Sequence, residues 1–318
     1  MKMISFLVAV LALNLAQQAN AQYPSRPIRY VVPFPAGGSA DGIARIMGQQ
    51  LTQAMGQQWL VDNRPGADGA VAGGIVLKAT PDGHTVFFGS NSPMSAAPAL
   101  RKVPPYDPVK DFTAIGMIGY FTFFVFVAPA VPAKTLNELI AHVRANPGKL
   151  NYGTGNTSSI LASAQLRMLA KLDVTQIPYK GDAPTTADLI GGRLQFAIMA
   201  PIPGLAHARE GRLRMVAVLL PRRSALAPEV PTIAEAGMPG VSISPWAGLF
   251  GPVGIRGEIL ARLSRELNTT LARTEVREQI GRQGLEVTTS TPAELSAHTA
   301  EQYQAWIRVI KETGIPQD

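Results

Sequence analysis

Short apolar runs alternate with longer helix-period segments along this chain of 318 residues, and the whole alternation occurs twice. One round ends at about residue 120 and the second follows it. Each round contains a strand, a turn rich in glycine and small polar residues, and a helix: "VVPFPAGGSADGIARIM" in the first and "LNYGTGNTSSILASAQL" in the second. This order is typical of α/β proteins whose parallel sheets are covered by helices on both faces. Because a single core stops growing at roughly 250 to 300 residues, the pattern predicts two similar α/β lobes.

The elements of these lobes follow from the same pattern. The predicted strands lie at 28–33, 59–63, 85–89, 121–128, 150–152, 174–178, 195–199 and 215–219. The predicted helices lie at 43–55, 70–79, 136–146, 160–172, 185–191, 204–210, 258–273, 275–284 and 292–311. The stretch "VSISPWAGLFGPVG" is predicted to be a further extended segment that crosses between lobes.

The first 21 residues have the composition of a secretory signal peptide. Lys2 precedes an apolar run at 4–15, and the segment ends with the small-residue pattern Ala19-Asn20-Ala21. The chain has no cysteine, so it has neither a lipid-anchor cysteine nor a disulfide framework. We expect cleavage after Ala21 and a mature, soluble chain in the periplasm.

The formal net charge is +7, and it becomes +6 without residues 1–21 because that segment contributes only Lys2. The arginines of the C-terminal helices are interspersed with acids, which is typical of solvated helix faces rather than of a basic patch. We therefore expect no nucleic-acid partner.

A bare turn, Ala36-Gly37-Gly38-Ser39, joins the first predicted strand to its helix. Backbone N–H groups at a helix N-terminus, with no side chain to keep a ligand away, suit an anion. The motif GxxxxGK[ST] is absent from the chain, so nucleoside triphosphate chemistry has little support.

The stretch "GTGNTSS" provides a similar turn in the second round. Thr157, Ser158 or Ser159 could simply be the N-cap of a helix that begins near Ile160. One cap explains only one hydroxyl, however, and several polar side chains crowd together here, so we favour a small-anion site. A dinucleotide fingerprint would require a third glycine where Ser158 stands.

Two further turns are expected at the same carboxyl edges of the parallel sheets, where ligands of open α/β sheets bind. Tyr179, Lys180, Gly181 and Asp182 follow one strand of the second round. Asn91 and Ser92 follow a strand of the first, in "GSNSPMS".

Signals for catalysis are weak. The four histidines are far apart and form no metal-ligand pattern, so we expect no metal and no cofactor. The chain also has no GxSxG elbow. Asp41 fits a helix N-terminal acid better than a general base. We therefore predict binding without chemistry.

Eight blocks follow one another from about residue 23 to the C-terminus: "YPSRPIRYVVPFPAGGSADGIAR", "NRPGADGAVAGG", "PDGHTVFFG", "YDPVKDFTAIG", "NPGKLNYGTGN", "IPYKGDAPTTADLIGG", "VPTIAEAGMPG" and "GLFGPVG". In this order they resemble the Bug-type extracytoplasmic receptors, the periplasmic substrate-binding proteins of the tripartite tricarboxylate transporter family.

The resemblance implies a type II periplasmic binding protein, with two doubly wound α/β lobes and a two-strand hinge. We place the first lobe at 22–121 plus 247–318 and the second at 122–246. Such receptors hold di- or tricarboxylates, amino acids or aromatic acids through backbone amides, hydroxyls and waters rather than a dedicated arginine. Carried over, the resemblance places Phe34, Ala36, Gly37, Gly38, Ser39 and Asp41 in the first wall, and Thr154, Gly155, Asn156, Thr157 and Ser158, with Tyr179, Lys180, Gly181 and Asp182, in the second. Asn91 and Ser92, placed by the edge argument above, complete the predicted ligand-binding set.

Two departures from the family pattern fall at the expected pocket. "YGTGNTSS" is shorter than YGS[SA]GxGS, and Met94 stands about where a histidine is common. Met94 would favour a less polar acid.

The sequence thus predicts a monomeric periplasmic receptor that closes over a small organic carboxylate and docks on membrane permease subunits. Two alternatives stay open. One is a receptor that reports ligand occupancy to a membrane sensor instead of a transporter. The other is an enzyme acting on a small acid, for which only Asp41, Asp182, Lys180 and Tyr179 are available.

Overall fold

The computed structural model describes residues 23–179, 181–242, 244–315 and 317. The predicted signal peptide and Lys180 lie outside the described residues. The strands are β1 (Ile28–Val32), β2 (Trp59–Asn63), β3 (Thr85–Ser90), β4 (Phe112–Phe121), β5 (Phe124–Val127), β6 (Asn151–Thr154), β7 (Thr175–Pro178), β8 (Phe196–Met199), β9 (Arg214–Val218), β10 (Trp246–Pro252) and β11 (Leu285–Val287). The helices of eight residues or more are α1 (Ser39–Met55), α2 (Ala70–Leu77), α3 (Leu136–Ala145), α4 (Thr157–Leu169), α5 (Asp182–Ile190), α6 (Pro201–Arg209), α7 (Gly257–Ala272), α8 (Thr274–Arg282) and α9 (Pro292–Thr313). Shorter helical segments lie at Ala67–Gly69, Ser92–Ala96 and Ala97–Ala99.

The first sheet has the strand order β11-β4-β10-β3-β1-β2. β1 runs parallel to both β2 and β3, with Ile28 opposite Trp59. β10 enters antiparallel between β3 and β4, and β11 pairs antiparallel with β4. The sheet is therefore mixed: β1, β2 and β3 are parallel as the sequence pattern predicted, whereas β4, β10 and β11 are joined by antiparallel pairing. The parallel part holds the carboxyl ends of β1, β2 and β3 at one edge.

The second sheet has the order β7-β6-β8-β5-β9. β6 is parallel to β7 and β8, while β5 lies antiparallel between β8 and β9. The turns after β6 and β7 leave the same edge, because parallel strands end together.

Two chain crossings join the sheets. The chain passes from β4 to β5 through residues 122–123 and returns to β10 through residues 219–245. The crossings are hydrogen-bonded to each other: the N–H of Phe121 donates to the carbonyl of Pro245, and that of Leu219 donates to the carbonyl of Phe123. This is the two-strand hinge of a type II periplasmic binding fold.

Buried apolar side chains form a core for each sheet. One face of the first sheet packs against α1, α7 and α8, and its other face packs against α2. The second sheet has its own cluster, which includes Trp306 and Ile310 from the end of α9. Leu295, near the start of α9, belongs instead to a cluster of the first sheet. The C-terminal helix thus packs on both lobes.

Several elements differ from the sequence prediction. β4 and β11 were missed, and the strand predicted at 121–128 is divided into the end of β4, a break at 122–123 and β5. Gly116 and Gly119 interrupt the apolar run of β4, and both faces of the strand are buried, so it shows no alternation. Among the described residues, no helix has the length and apolar character needed to cross a bilayer.

Candidate ligand-binding cleft

A cleft of about 610 Å³ lies between the two lobes, at the edge where β1, β2, β3 and β6 end. This volume is within the usual range for small-molecule sites, roughly 300–1,000 Å³. The first lobe contributes Pro33, Phe34, Pro35, Gly38, Ser39, Ala40, residues 65–69, Ser90, Asn91 and Ser92. The hinge contributes Phe121, Phe123 and Pro245, and the second lobe contributes Asn156, Thr157 and Ser158.

The N-terminus of α1 forms one wall. Gly37 has φ of +86°, a left-handed conformation that favours glycine, and it turns the chain from β1 into the helix. Gly38 is the N-cap residue and no side chain caps the helix, so the N–H groups of its first turn have no intrahelical acceptor. The hydroxyl of Ser39 donates to the carbonyl of Gln283. This hydroxyl is therefore engaged within the protein, although Gly38, Ser39 and Ala40 all line the cleft.

Asp41 holds this wall in place. Its buried carboxylate accepts hydrogen bonds from the N–H of Gly37 at 2.9 Å, from Arg45 Nε at 3.0 Å and from Asn63 Nδ2 at 3.0 Å. Burial acts to raise the pKa of Asp41, but these donors outweigh it and hold the pKa below its usual range. The carboxylate is ionised and fully engaged, which supports the structural interpretation of Asp41.

The N-terminus of α4 forms the opposite wall. Asn156 is the N-cap residue: its side chain accepts from the N–H of Ser159 at 2.9 Å, and Ser159 Oγ accepts from the N–H of Asn156 at 3.1 Å. The interpretation of Thr157, Ser158 or Ser159 as the cap was therefore wrong. The helix begins at Thr157 rather than near Ile160, because this reciprocal capping box satisfies the backbone three residues earlier.

Asp182 connects the loops behind this wall. Its carboxylate accepts from Asn156 Nδ2 at 3.3 Å and from the N–H of Ala200, just before α6, at 3.2 Å. Burial raises the pKa of Asp182 and outweighs these two bonds, which act to lower it. A Cβ at Gly155 would lie 2.6 Å from the Asp182 carboxylate, so this loop packs closely only because residue 155 is glycine.

A hydrogen bond joins the two lobes beside the cleft. Asn91 Nδ2, after β3, donates to Ser158 Oγ, in the first turn of α4, at 2.5 Å. Asn91 is 4% exposed and Ser158 is 9% exposed. A buried hydrogen bond therefore links the first lobe to the helix start of the second.

The predicted ligand-binding residues fall into two groups. Those that line the cleft are Phe34, Gly38, Ser39, Asn91, Ser92, Asn156, Thr157 and Ser158. Those that lie in or behind the wall loops without lining it are Ala36, Gly37, Asp41, Thr154, Gly155, Tyr179, Gly181 and Asp182. Contact of either group with a ligand stays a prediction.

Several side chains of the second group are engaged elsewhere. Thr154 Oγ1 accepts from Gln176 Nε2 at 3.0 Å, and the hydroxyl of Tyr179 donates to Asp188 at 2.7 Å. Burial and the hydrogen bond to Asp188 raise the pKa of Tyr179 to about 12. Met94 is fully buried in a core cluster and does not line the cleft, so the expectation that it would favour a less polar acid has no structural basis.

Sequence reasoning missed the loop 65–69, which lines the cleft after β2. Ala67 and Asp68 have left-handed φ values of 49° and 55°, which are uncommon for residues other than glycine. The signal was present, because "RPGADG" directly follows the predicted strand at 59–63. Residues 91 and 92 were predicted to bind ligand because they follow a strand at the carboxyl edge of the sheet, and the loop 65–69 follows a strand at the same edge.

This architecture agrees with the comparisons with known proteins. Residues 43–315 match the family model described as the tripartite tricarboxylate transporter family receptor, TctC. The chain belongs to this family. Protein BugT of Bordetella pertussis is a relative, 34% identical over 319 residues that cover 97% of each chain.

Two solved structures are similar to this chain over most of its length. Rpa4515 of R. palustris, solved with adipate, is 29% identical with a TM-score of 0.75, over 93% of this chain and 99% of its own. MatC of Rhodopseudomonas palustris, with bound malate, is 29% identical with a TM-score of 0.71, over 91% of this chain and 100% of its own. The family prediction and the type II fold are confirmed, and the family is one of receptors.

Proposed function

We propose that this protein is a periplasmic solute receptor that binds a small organic carboxylate between its lobes. The observation that carries the proposal is that two helix N-termini meet at one cleft. Gly38 and Ser39, at the start of α1, line the cleft from the first lobe. Thr157 and Ser158, at the start of α4, line it from the second. Free N–H groups and the positive ends of two helix dipoles suit an anion. The adipate and malate bound by the two structural relatives are carboxylates, which supports the same ligand class here.

The cleft uses oriented backbone groups, and none of the described lining residues is lysine or arginine. A buried ion pair would require desolvation of both charges, whereas backbone donors need no counter-charge and bridging waters cost little affinity. Carboxylates of different length can then share one cleft. Closure of the lobes about the hinge is the expected response to the ligand.

We further propose that the closed receptor delivers its ligand to the membrane permease subunits of a tripartite tricarboxylate-type transporter. The family description, which names that transporter, supports this partner. Removal of residues 1–21 as a signal peptide would place the mature chain in the periplasm, and it would act there as a monomer.

The test is calorimetric titration of the mature chain with adipate, malate, citrate and benzoate, each compared with its neutral amide. We expect the acids to bind and the amides to fail. A ligand at 100 times its dissociation constant would add about 2.7 kcal/mol to the free energy of unfolding. Equal binding of acids and amides, or no binding of any acid, would contradict the proposal.

The variant Gly38→Ala tests whether the ligand binds at the N-terminus of α1. A Cβ at Gly38 would lie 3.8 Å from the carbonyl oxygen of Pro35 and meet nothing closer, so the variant fits the fold and adds a methyl group to the cleft. We expect roughly tenfold weaker binding, about 1.4 kcal/mol. Gly74→Ala in α2 is the matched control, because a Cβ there meets nothing within 4 Å and the residue is not among those lining the cleft.

A further inference from the structure

A second pocket, of about 260 Å³, lies beside the hinge. Tyr120, near the end of β4, lines this pocket, whereas its neighbour Phe121 lines the cleft. Because successive residues of a strand point to opposite faces, the pocket and the cleft lie on opposite sides of β4. The other described lining residues belong to the return crossing, within 219–244, and to α9, within 298–302. We call this site the hinge pocket.

The α9 wall of the hinge pocket contains two buried polar atoms that have no hydrogen-bond partner among the described residues, Gln302 Oε1 and His298 Nε2. Residues four positions apart lie on the same face of a helix, so these two side chains are neighbours. Gln302 is 4% exposed, and its Nε2 donates to the carbonyl of Ser242 at 3.2 Å. Since a carbonyl only accepts, this bond fixes the amide with its oxygen as the unpaired end. The pocket wall therefore offers a buried acceptor.

His298 is uncharged at neutral pH, because burial lowers its pKa to about 4. Its ring meets those of Tyr120 and Trp246 edge to face, with 5.6 and 5.2 Å between the ring centroids. In a neutral imidazole one nitrogen donates and the other accepts. A hydroxyl group can do either, so it can pair with Nε2 of His298 in both tautomers.

The rest of the hinge pocket limits the size and charge of a ligand. Leucine, isoleucine, valine and proline side chains of the return crossing form an apolar wall. Among the described lining residues, Glu301 alone carries a formal charge at neutral pH, and a negative charge at the wall disfavours an anion. The volume exceeds the cavity of about 150 Å³ that admits benzene in another protein. One small ring therefore fits.

We propose that the hinge pocket binds a small uncharged molecule with an apolar body and a hydroxyl or N–H donor, which pairs with Gln302 Oε1. A buried acceptor that gains a donor recovers the cost of having left water. The apolar body packs on the side chains of the return crossing and adds the free energy of their burial. This ligand class differs from the carboxylates proposed for the cleft, so the two proposals are tested separately.

The experiment compares phenol with anisole, which have the same benzene ring and differ in that only phenol has a donor. NMR titration of the mature wild-type chain at pH 7 measures both affinities. We expect phenol to bind about tenfold more tightly, because anisole leaves the Gln302 oxygen unpaired.

Two variants then assign phenol to the hinge pocket. Gln302→Met keeps the length of the side chain and removes the acceptor, so the affinity for phenol should fall about tenfold and that for anisole should stay equal or rise. Gln304→Met, at an exposed position of α9 that does not line the pocket, is the matched control and should change neither affinity.

The second variant, Ala234→Phe, changes an exposed lining residue and places a ring at the mouth of the pocket, so it should prevent binding of both probes while the core stays unchanged. Ala141→Phe, at an exposed position of α3, is its matched control and should leave both affinities unchanged.

The inference is wrong if phenol fails to bind or binds no more tightly than anisole. It is also wrong if phenol binds Ala234→Phe as it binds wild type, since phenol would then be held elsewhere as an adventitious additive only. Loss of phenol binding in both variants, with both controls unchanged, would support the hinge pocket whether or not any carboxylate binds the cleft.

Discussion

At the scale of single residues, two carboxylates, those of Asp41 and Asp182, hold the loops that form the walls of the cleft. Asp41 gathers Gly37, Arg45 and Asn63 around one buried group, and so fixes the turn that presents the N-terminus of α1. Asp182 performs the corresponding task behind the second wall. The pKa values of the two groups are shifted in opposite directions: hydrogen bonds lower the pKa of Asp41, whereas burial raises that of Asp182.

Asp41→Asn should lower the free energy of unfolding by about 1–3 kcal/mol at pH 7, since it leaves buried donors poorly paired. Because the folded pKa of Asp41 is depressed, its ionised form stabilises the fold above the unfolded pKa of about 3.9. That stabilisation is lost as the pH falls through the lower folded pKa. Urea unfolding of wild type and variant across the acid range measures the difference, which should shrink toward low pH.

Asp182→Asn is expected to show the opposite dependence of stability on pH. The folded pKa of Asp182 is raised, so its titration weakens the fold as the pH rises from the unfolded toward the folded pKa. The advantage of wild type over this variant should therefore grow as the pH falls. Parallel pH curves for wild type and both variants would show that neither carboxylate is coupled to folding in this way.

At the scale of elements, the two walls are helix starts built differently. α1 begins at an uncapped glycine, whereas α4 begins at a closed capping box formed by Asn156 and Ser159. Ser159 is fully buried, and its Oγ also accepts from the N–H of Gly155 at 3.0 Å. The box thus sets the position of residues 155–158 as well as stabilising the helix.

Ser159→Ala should lower the free energy of unfolding by about 1–2 kcal/mol and weaken ligand binding several-fold, because the wall loses its fixed position. Chemical unfolding and calorimetry measure the two effects. Thr135→Ala is the matched control: Thr135 caps α3 by accepting from the N–H of Glu138 at 3.2 Å, and it is not among the residues lining the cleft. It should lower stability comparably and leave affinity unchanged. Equal affinity losses in both variants would contradict a specific role for the α4 box.

At the scale of the whole molecule, the features that couple the lobes include the hydrogen-bonded crossings, the C-terminal helix that packs on both cores, and the bond from Asn91 to Ser158. The first two lie outside the cleft lining except at the hinge residues Phe121, Phe123 and Pro245. The third is at the cleft itself. It joins residues 67 positions apart, so it exists only when the lobes are together.

Asn91→Ala and Ser158→Ala should each weaken ligand binding, and the double variant should be no weaker than either single one. The expected coupling is about 0.5–1.5 kcal/mol, the usual net value of one hydrogen bond. Calorimetry on the four proteins of the cycle measures it. X-ray scattering of the unliganded single variants should show a larger radius of gyration than wild type. Additive losses of affinity with unchanged scattering would mean that the two side chains act separately.

The sequence by itself determined the local elements, because periodicity and turn chemistry act over a few residues. The strand predicted at 59–63 is β2, Trp59–Asn63, and the helix predicted at 292–311 is α9, Pro292–Thr313. The repeated strand–turn–helix order and the family blocks also predicted two α/β lobes and a cleft at their carboxyl edges. The Gly-Gly-Ser turn at 37–39 indicated the helix N-terminus that lines it.

Only the tertiary structure decided the partners of the polar groups. The Ser39 hydroxyl bonds to Gln283, 244 positions away, and Asn91 meets Ser158 across the lobes. β10 enters the first sheet between β3 and β4 from a distant part of the chain. Asp68 lines the cleft because β2 ends beside β1. Each of these arrangements depends on contacts between segments far apart in sequence. Such contacts do not produce a periodic pattern in the residues that make them.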